Sequence, residues 1–200
     1  MSPPDAPLTR EQILVAAEEV VRRFGPAKAT VVDVARALGV SHAAVYRHVA
    51  TKAELRDLVV GRWVEAIMSP LRAIAARPHP APKRLRQFFD TLIAVKRARA
   101  TEDPELFAAY RTLAADAKSS VADHVDELVE LAATIIRNGV NEGSFFTADP
   151  VAAGRAVLFA TSRFHHPAHA AEWSKPGIDK EFNDLWQILM KGLRSPSTST

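Results

Sequence analysis

The segment Thr30-Val-Val-Asp-Val-Ala-Arg-Ala-Leu-Gly39-Val-Ser41-His-Ala-Ala-Val-Tyr-Arg-His48 decides the fold. Thr30 is a strong N-cap, because its side-chain oxygen accepts from an orphaned backbone N–H at a helix start. Val34, Ala35 and Leu38 then recur at helical spacing. Gly39 supplies the left-handed residue that closes a helix barely two turns long. Ser41 caps a second helix, predicted to run from His42 to about Val49. Two short helices joined by so tight a turn match the helix-turn-helix, whose second helix enters the major groove of DNA.

The pattern stays helical in both directions from this segment. Upstream, Thr9 and Gln12 form a capping box for a helix with the stripe Ile13, Ala16, Ala17, Val20, Val21 and Phe24. Downstream, Thr51 and Glu54 cap another, which Ser69-Pro70 is expected to kink near Met68 or to end. The proline-rich stretch Arg77–Pro82 is predicted to be a linker, followed by helices over about 83–100, 103–116 and 119–139. Asp149-Pro150 opens a helix expected to reach about His165, and a last one spans about 179–193. No alternating stretch of strand length interrupts them, so the fold class is all-α with about nine helices.

Composition narrows the function. With no cysteine among 200 residues, structural disulfides, thiolate metal sites and a cysteine nucleophile are excluded. No signal sequence and no apolar run of membrane-spanning length is present, so the expected location is cytoplasmic, with no membrane partner. The net charge is only +3, yet between Arg22 and Arg62 eight basic residues stand against three acidic ones. That excess surrounds the helix-turn-helix, where a polyanion would dock. No histidine follows a glutamate by three positions, and neither a phosphate-binding glycine loop nor a Gly-x-Ser-x-Gly elbow occurs, so no enzyme activity is expected. His165, His169 and Glu172 have metal-capable spacing, but Pro167 breaks the helix that would align them; no metal or other cofactor is expected.

Phe24-Gly25, Thr30 to Ser41, Val45-Tyr46-Arg47-His48-Val49, Thr51-Lys52 and Leu55 together closely resemble the N-terminal domain of the TetR family, over about residues 9–60. The rest is similar to the family in helix count and in Gly143, Phe145 and Asp149-Pro150. The resemblance implies a DNA-binding domain at 1–52, a ligand-binding and dimerisation domain at 53–194 and a disordered tail at 195–200. It implies that His42, Ala43 and Arg47 face base edges with Ala44 close by, and that Tyr46 and Lys52 contact phosphate, joined by the hydroxyls of Thr30 and Ser41. His48 matches a largely structural position, and Val49 stands where the family usually has a larger aromatic.

The resemblance also implies a cavity in the larger domain. Its candidate lining is Trp63, Phe88, Phe89, Leu92, Phe107, Tyr110, His124, Phe159, Phe164 and His165, although such aromatics fill cores as readily as they line pockets. Lys83, Arg84, Arg86, Lys96, Arg97 and Arg99 are expected on a solvated face, which favours a small, mainly apolar or aromatic effector. The implied assembly is a homodimer through the last two helices, with Phe182, Leu185, Trp186, Leu189 and Leu193 as one stripe. The implied function is a repressor that a ligand releases from a double-stranded, palindromic operator. A ligand-free, architectural DNA-binding protein remains the alternative.

Overall fold

Each predicted cap at the N-terminal end is formed. In the computed structural model, which describes residues 7–116 and 118–194, the order is α1 (Arg10–Phe24), α2 (Val31–Leu38), α3 (His42–Tyr46), α4 (Lys52–Ala75), α5 (Ala81–Glu102), α6 (Pro104–Asp116), α7 (Lys118–Asn141), α8 (Pro150–Ala160), α9 (Ser162–His165), a 3₁₀ turn (Pro167–Glu172) and α10 (Ile178–Leu193). Among the described residues there is no strand, so the all-α class holds. None of these helices is long and apolar enough to cross a membrane. The expected tail, 195–200, lies outside the described residues.

The Thr9–Gln12 box closes reciprocally: the Gln12 N–H donates to Thr9 Oγ1 at 3.2 Å, and the Thr9 N–H donates to Gln12 Oε1 at 2.8 Å. Thr51 accepts from the Glu54 N–H at 3.1 Å, while Glu54 reaches back to the Ala50 N–H at 2.6 Å. Gly39 sits in the left-handed region with φ 68°, where a side chain would strain the turn.

Four expectations change. The third helix ends at Tyr46 rather than Val49. The fourth does not end at Pro70 but continues to Ala75; Ile67, Met68, Leu71 and Ile74 are buried on either side and hold the turn that loses one backbone bond. The linker is shorter than predicted, because α5 starts at Ala81 and places Pro82 in the first turn, where a missing N–H is harmless. The helix from Pro150 breaks at Thr161, whose hydroxyl donates to the Val157 carbonyl at 2.8 Å and so competes with the helical ladder. Among the described residues the break turns the expected nine or so helices into eleven helical elements.

The chain divides into two compact units, Met1–Glu65 with Asp103–Val121 and Ala66–Glu102 with Ala122–Thr200. In the first, α1 packs on α2 and α6, and α2 on α3, around Ile13, Ala17, Val34 and Val45. Arg22 bridges α1 to Asp103 at 2.6 Å. In the second, α5 packs on α9, and its Phe88 and Phe89 are fully buried. An aromatic chain continues from Phe89 to Trp186 (5.5 Å between centroids), Phe182 (5.8 Å) and Phe164 (5.2 Å). Each such ring contributes about 1.5–3 kcal/mol by burial.

Candidate nucleic-acid interface and effector site

α3 is too short to be stable alone and is held from below. Val45 and Val49 are buried, so the helix has one anchored face. The opposite face carries His42, Ala43, Tyr46 and Arg47, all exposed, with Ala44 half-buried. Ser41 Oγ accepts from the Ala44 N–H at 3.2 Å, which leaves its own proton available to a phosphate. His42, Ala43, Tyr46 and Arg47 therefore share one exposed face, to which the small Ala43 and Ala44 add little bulk.

Two members are already engaged. Thr30 Oγ1 accepts from the Asp33 N–H and donates to Asp33 Oδ2 at 2.6 Å, so a phosphate would have to compete for its proton. That hydrogen bond, with Arg36 beside it, holds the Asp33 carboxyl below its ordinary range. Lys52 Nζ donates to the Ala27 carbonyl, which fixes the side chain over the loop before α2 and leaves two ammonium protons free. His48 is exposed.

The predicted ligand residues fall into two groups. Trp63 stacks on Tyr110 (4.7 Å between centroids, 14° between planes) and lies 5.9 Å from Phe107 in the first unit. Burial raises the Tyr110 phenol above its usual range. Phe88, Phe89, Leu92, His124, Phe164 and His165 are buried in the second unit. Phe159 joins neither group. It is 54 % exposed, because the break at Thr161 leaves it on the outer face of α8.

The basic residues of α5 also depart from expectation. Arg84 and Lys96 are buried, 4 % and 8 % exposed. Arg84 donates to the Ala75 carbonyl at 2.9 Å and lies near Glu142, whereas burial lowers the Lys96 ammonium to about 8. In the sequence Lys96 stands among five other cations of the same helix, which suggest a solvated face. The missed signal was its place four residues after Leu92 and eight after Phe88, on the apolar row.

Two histidines share that interior. His165 Nε2 lies 3.3 Å from both the Leu158 carbonyl and Thr161 Oγ1. Assigning the Nε2 proton to Leu158 leaves Nδ1 as a bare acceptor, buried and unpartnered. Both His124 ring nitrogens are also buried without a partner. Burial, followed by the Lys96 charge, lowers His124 to about 4 and His165 to about 3. His169 and Glu172 lie apart from this group: Glu172 accepts from Arg163 at 2.9 Å and lies 3.2 Å from His169. Among the described residues no three His, Asp or Glu side chains converge to hold a metal ion.

The α10 stripe is divided. Phe182, Trp186 and Leu193 are buried within the chain, while Leu185 and Leu189 are half-buried and Ile188 is 68 % exposed. On α8 the exposed residues Ala152, Ala156, Phe159 and Ala160 form a second apolar row.

Residues 13–59 match the model for bacterial regulatory proteins of the tetR family, and residues 81–186 match the tetracyclin repressor-like C-terminal domain. The chain is 26 % identical over 194 residues to the nucleoid occlusion factor SlmA of Colwellia psychrerythraea, covering 92 % of this chain and 93 % of that one. Among solved structures it is similar to SmeT, the repressor of the Stenotrophomonas maltophilia multidrug efflux pump SmeDEF (TM-score 0.69, 18 % identity, 96 % of this chain and 94 % of that one), which has also been solved with triclosan. It is similar too to the TetR family regulator PfmR of Thermus thermophilus (TM-score 0.56, 26 % identity, 96 % and 100 % covered).

Proposed function

The chain belongs to the TetR family of DNA-binding transcriptional regulators, and on that premise we propose that it is a homodimeric repressor released from a palindromic operator by a small, mainly apolar or aromatic effector. The observation that carries the DNA half is the exposed face of α3, where His42, Ala43, Tyr46 and Arg47 stand clear of a packed underside. Arg47 can fork onto a guanine, and an alanine methyl can meet that of thymine. Tyr46, Ser41 and Lys52 position the helix on phosphates without reading sequence. Thr30 acts chiefly as a helix cap. The domain division at residue 52 belongs to this reading as a division of labour between reading DNA and sensing ligand.

Dimerisation through α8 and α10 is supported by their remaining apolar rows, Ala152, Ala156, Phe159 and Ala160 on one helix and Leu185, Ile188 and Leu189 on the other. Around a two-fold axis each row meets its own copy. Two recognition helices would then address successive major grooves roughly 34–36 Å apart. An effector that favours a conformer with another spacing releases DNA through its differential affinity, with a coupling of about 1–3 kcal/mol.

The likeness to a nucleoid occlusion factor favours a second reading, a DNA-binding protein whose large domain only dimerises. One experiment separates them. Selection from random duplexes should yield a two-fold symmetric site, and a mixed panel of apolar and aromatic compounds should include some that release it. Release only by multiply charged compounds, or by none, would overturn the effector half; binding without a symmetric site would overturn the operator half.

A further inference from the structure

Lys96 continues an apolar row into the interior. Phe88, Leu92 and Lys96 follow at four-residue spacing on α5, and all three are buried. On α7, His124 stands one turn before the buried Leu128 and two before Ala132, so a second apolar row also ends in a polar group. His165 arrives from the end of α9, its ring 6.5 Å from that of Phe89. No carboxylate among the described residues pairs with Lys96, and His124 Nδ1, His124 Nε2 and His165 Nδ1 bond nothing. The Lys96 charge lowers the pKa of His124, His165 and His166, second only to burial in each case, while the Glu127 carboxylate, held by Arg72 at 2.6 Å, acts the other way on His124, so these groups share one neighbourhood.

Buried polar atoms without partners are costly, and a native fold keeps several together where something else completes them. The missing group must suit an unpaired cation and a His124 N–H, which calls for an acceptor of negative charge. It cannot be a divalent metal, because an ammonium in the site repels one. It carries a single charge, because one cation answers it and the surroundings are apolar.

We propose that Lys96, His124 and His165 form the head-group site for the effector, and that the effector is an amphipathic monocarboxylate with an apolar or aromatic body. This rests on the effector-responsive reading above and narrows its ligand class. The Lys96 ammonium and a His124 N–H donate to the carboxylate. The bare Nδ1 of His165 accepts from a hydroxyl on the ligand or from a bridging water. Phe88, Phe89 and Leu92, fully buried without ligand, part to take the body.

The test uses the full-length protein and its Lys96→Met and His124→Leu variants. Calorimetric titration is done with decanoate and naphthoate, each against its methyl ester and its primary alcohol. The acids should bind the wild type at least about tenfold tighter than their esters, and Lys96→Met should erase that preference while leaving ester affinity alone. Without ligand, Lys96→Met should raise the melting temperature, since it removes an uncompensated buried charge; a lysine kept for structure would give the opposite shift. Equal affinity for acid, ester and alcohol, no binding of any acid, or a lower melting temperature in Lys96→Met overturns the assignment. Acids that bind through Lys96 but never release the operator would leave the site standing and overturn the effector reading instead.

Discussion

Acid should unfold this protein unusually early, through two rings. His124 and His165 are buried at 6 % and 4 % exposure, and their pKa values lie at about 4 and about 3 against 6.5 for a free side chain. A folded-state pKa below the unfolded one means that the unfolded chain binds more protons between the two values. Stability is therefore complete above 6.5 and lost as pH falls towards 4 and 3. At about pH 5 each ring costs the fold about 2 kcal/mol, or about 4 kcal/mol for the pair, out of a total of about 5–15 kcal/mol. For a chain of this size each kcal/mol lowers the melting temperature by about 2–4 °C, so a fall of about 10 °C is expected between pH 7 and about pH 5. Scanning calorimetry of the wild type and of His124→Leu measures it. Leucine forfeits no hydrogen bond, because neither ring nitrogen makes one, so the variant should lose only about half as much. A wild-type melting temperature flat across that range, or a variant with the same acid slope as the wild type, would refute the burial argument.

Lys52→Ala should weaken binding to all DNA alike and lower the slope of log affinity against log salt by about one, whereas Arg47→Ala should relax base preference at one position, at about 1–3 kcal/mol. Fluorescence anisotropy over a salt series distinguishes them, and an unchanged slope for Lys52→Ala would show that this lysine serves only the Ala27 carbonyl. A charge at Leu185 or Leu189 strikes a symmetric interface twice and should give monomers or insoluble protein; sedimentation of an intact dimer for both would move the interface elsewhere. Gly139→Ala would put a Cβ 2.1 Å from the Phe145 ring and should cost about 1–3 kcal/mol in denaturant titration, against little for Gly192→Ala, which meets open space.

What was legible in the sequence is what local chemistry controls. Thr9, Thr30, Ser41 and Asp149 announce helix starts because a cap is a contact between residues two or three apart, and Gly39 announces a turn because its φ excludes a side chain. The exposed face of α3 follows from the same local rules. Where tertiary packing decides, the sequence is ambiguous. Pro70 breaks a helix by its own chemistry and is overruled by buried neighbours above and below it. Trp186 and Leu185 are adjacent apolar residues on one amphipathic helix, and only the fold shows that the first is core and the second half-open. Lys96 was hidden by composition, since five other cations on the same helix suggest a wet surface while its register points inward. Thr161 resembles any helical threonine until its hydroxyl is seen bonded to Val157.

That threonine ties an outward-looking residue to an inward-looking one. Phe159 stands in the last turn of the exposed row of α8, and His165 ends the buried approach of α9, with the Thr161 break between them. The hydroxyl of Thr161 and the imidazole of His165 both lean on the Leu158 carbonyl, one at 3.2 Å and the other at 3.3 Å. A guest that draws the ring towards itself must loosen its hold on that oxygen, and the last turn of α8 then keeps only its backbone bonds and those of the Thr161 hydroxyl. The junction thus behaves like a latch whose bolt is a single carbonyl, set from inside the core and felt one residue away at an aromatic ring on the outward row of α8.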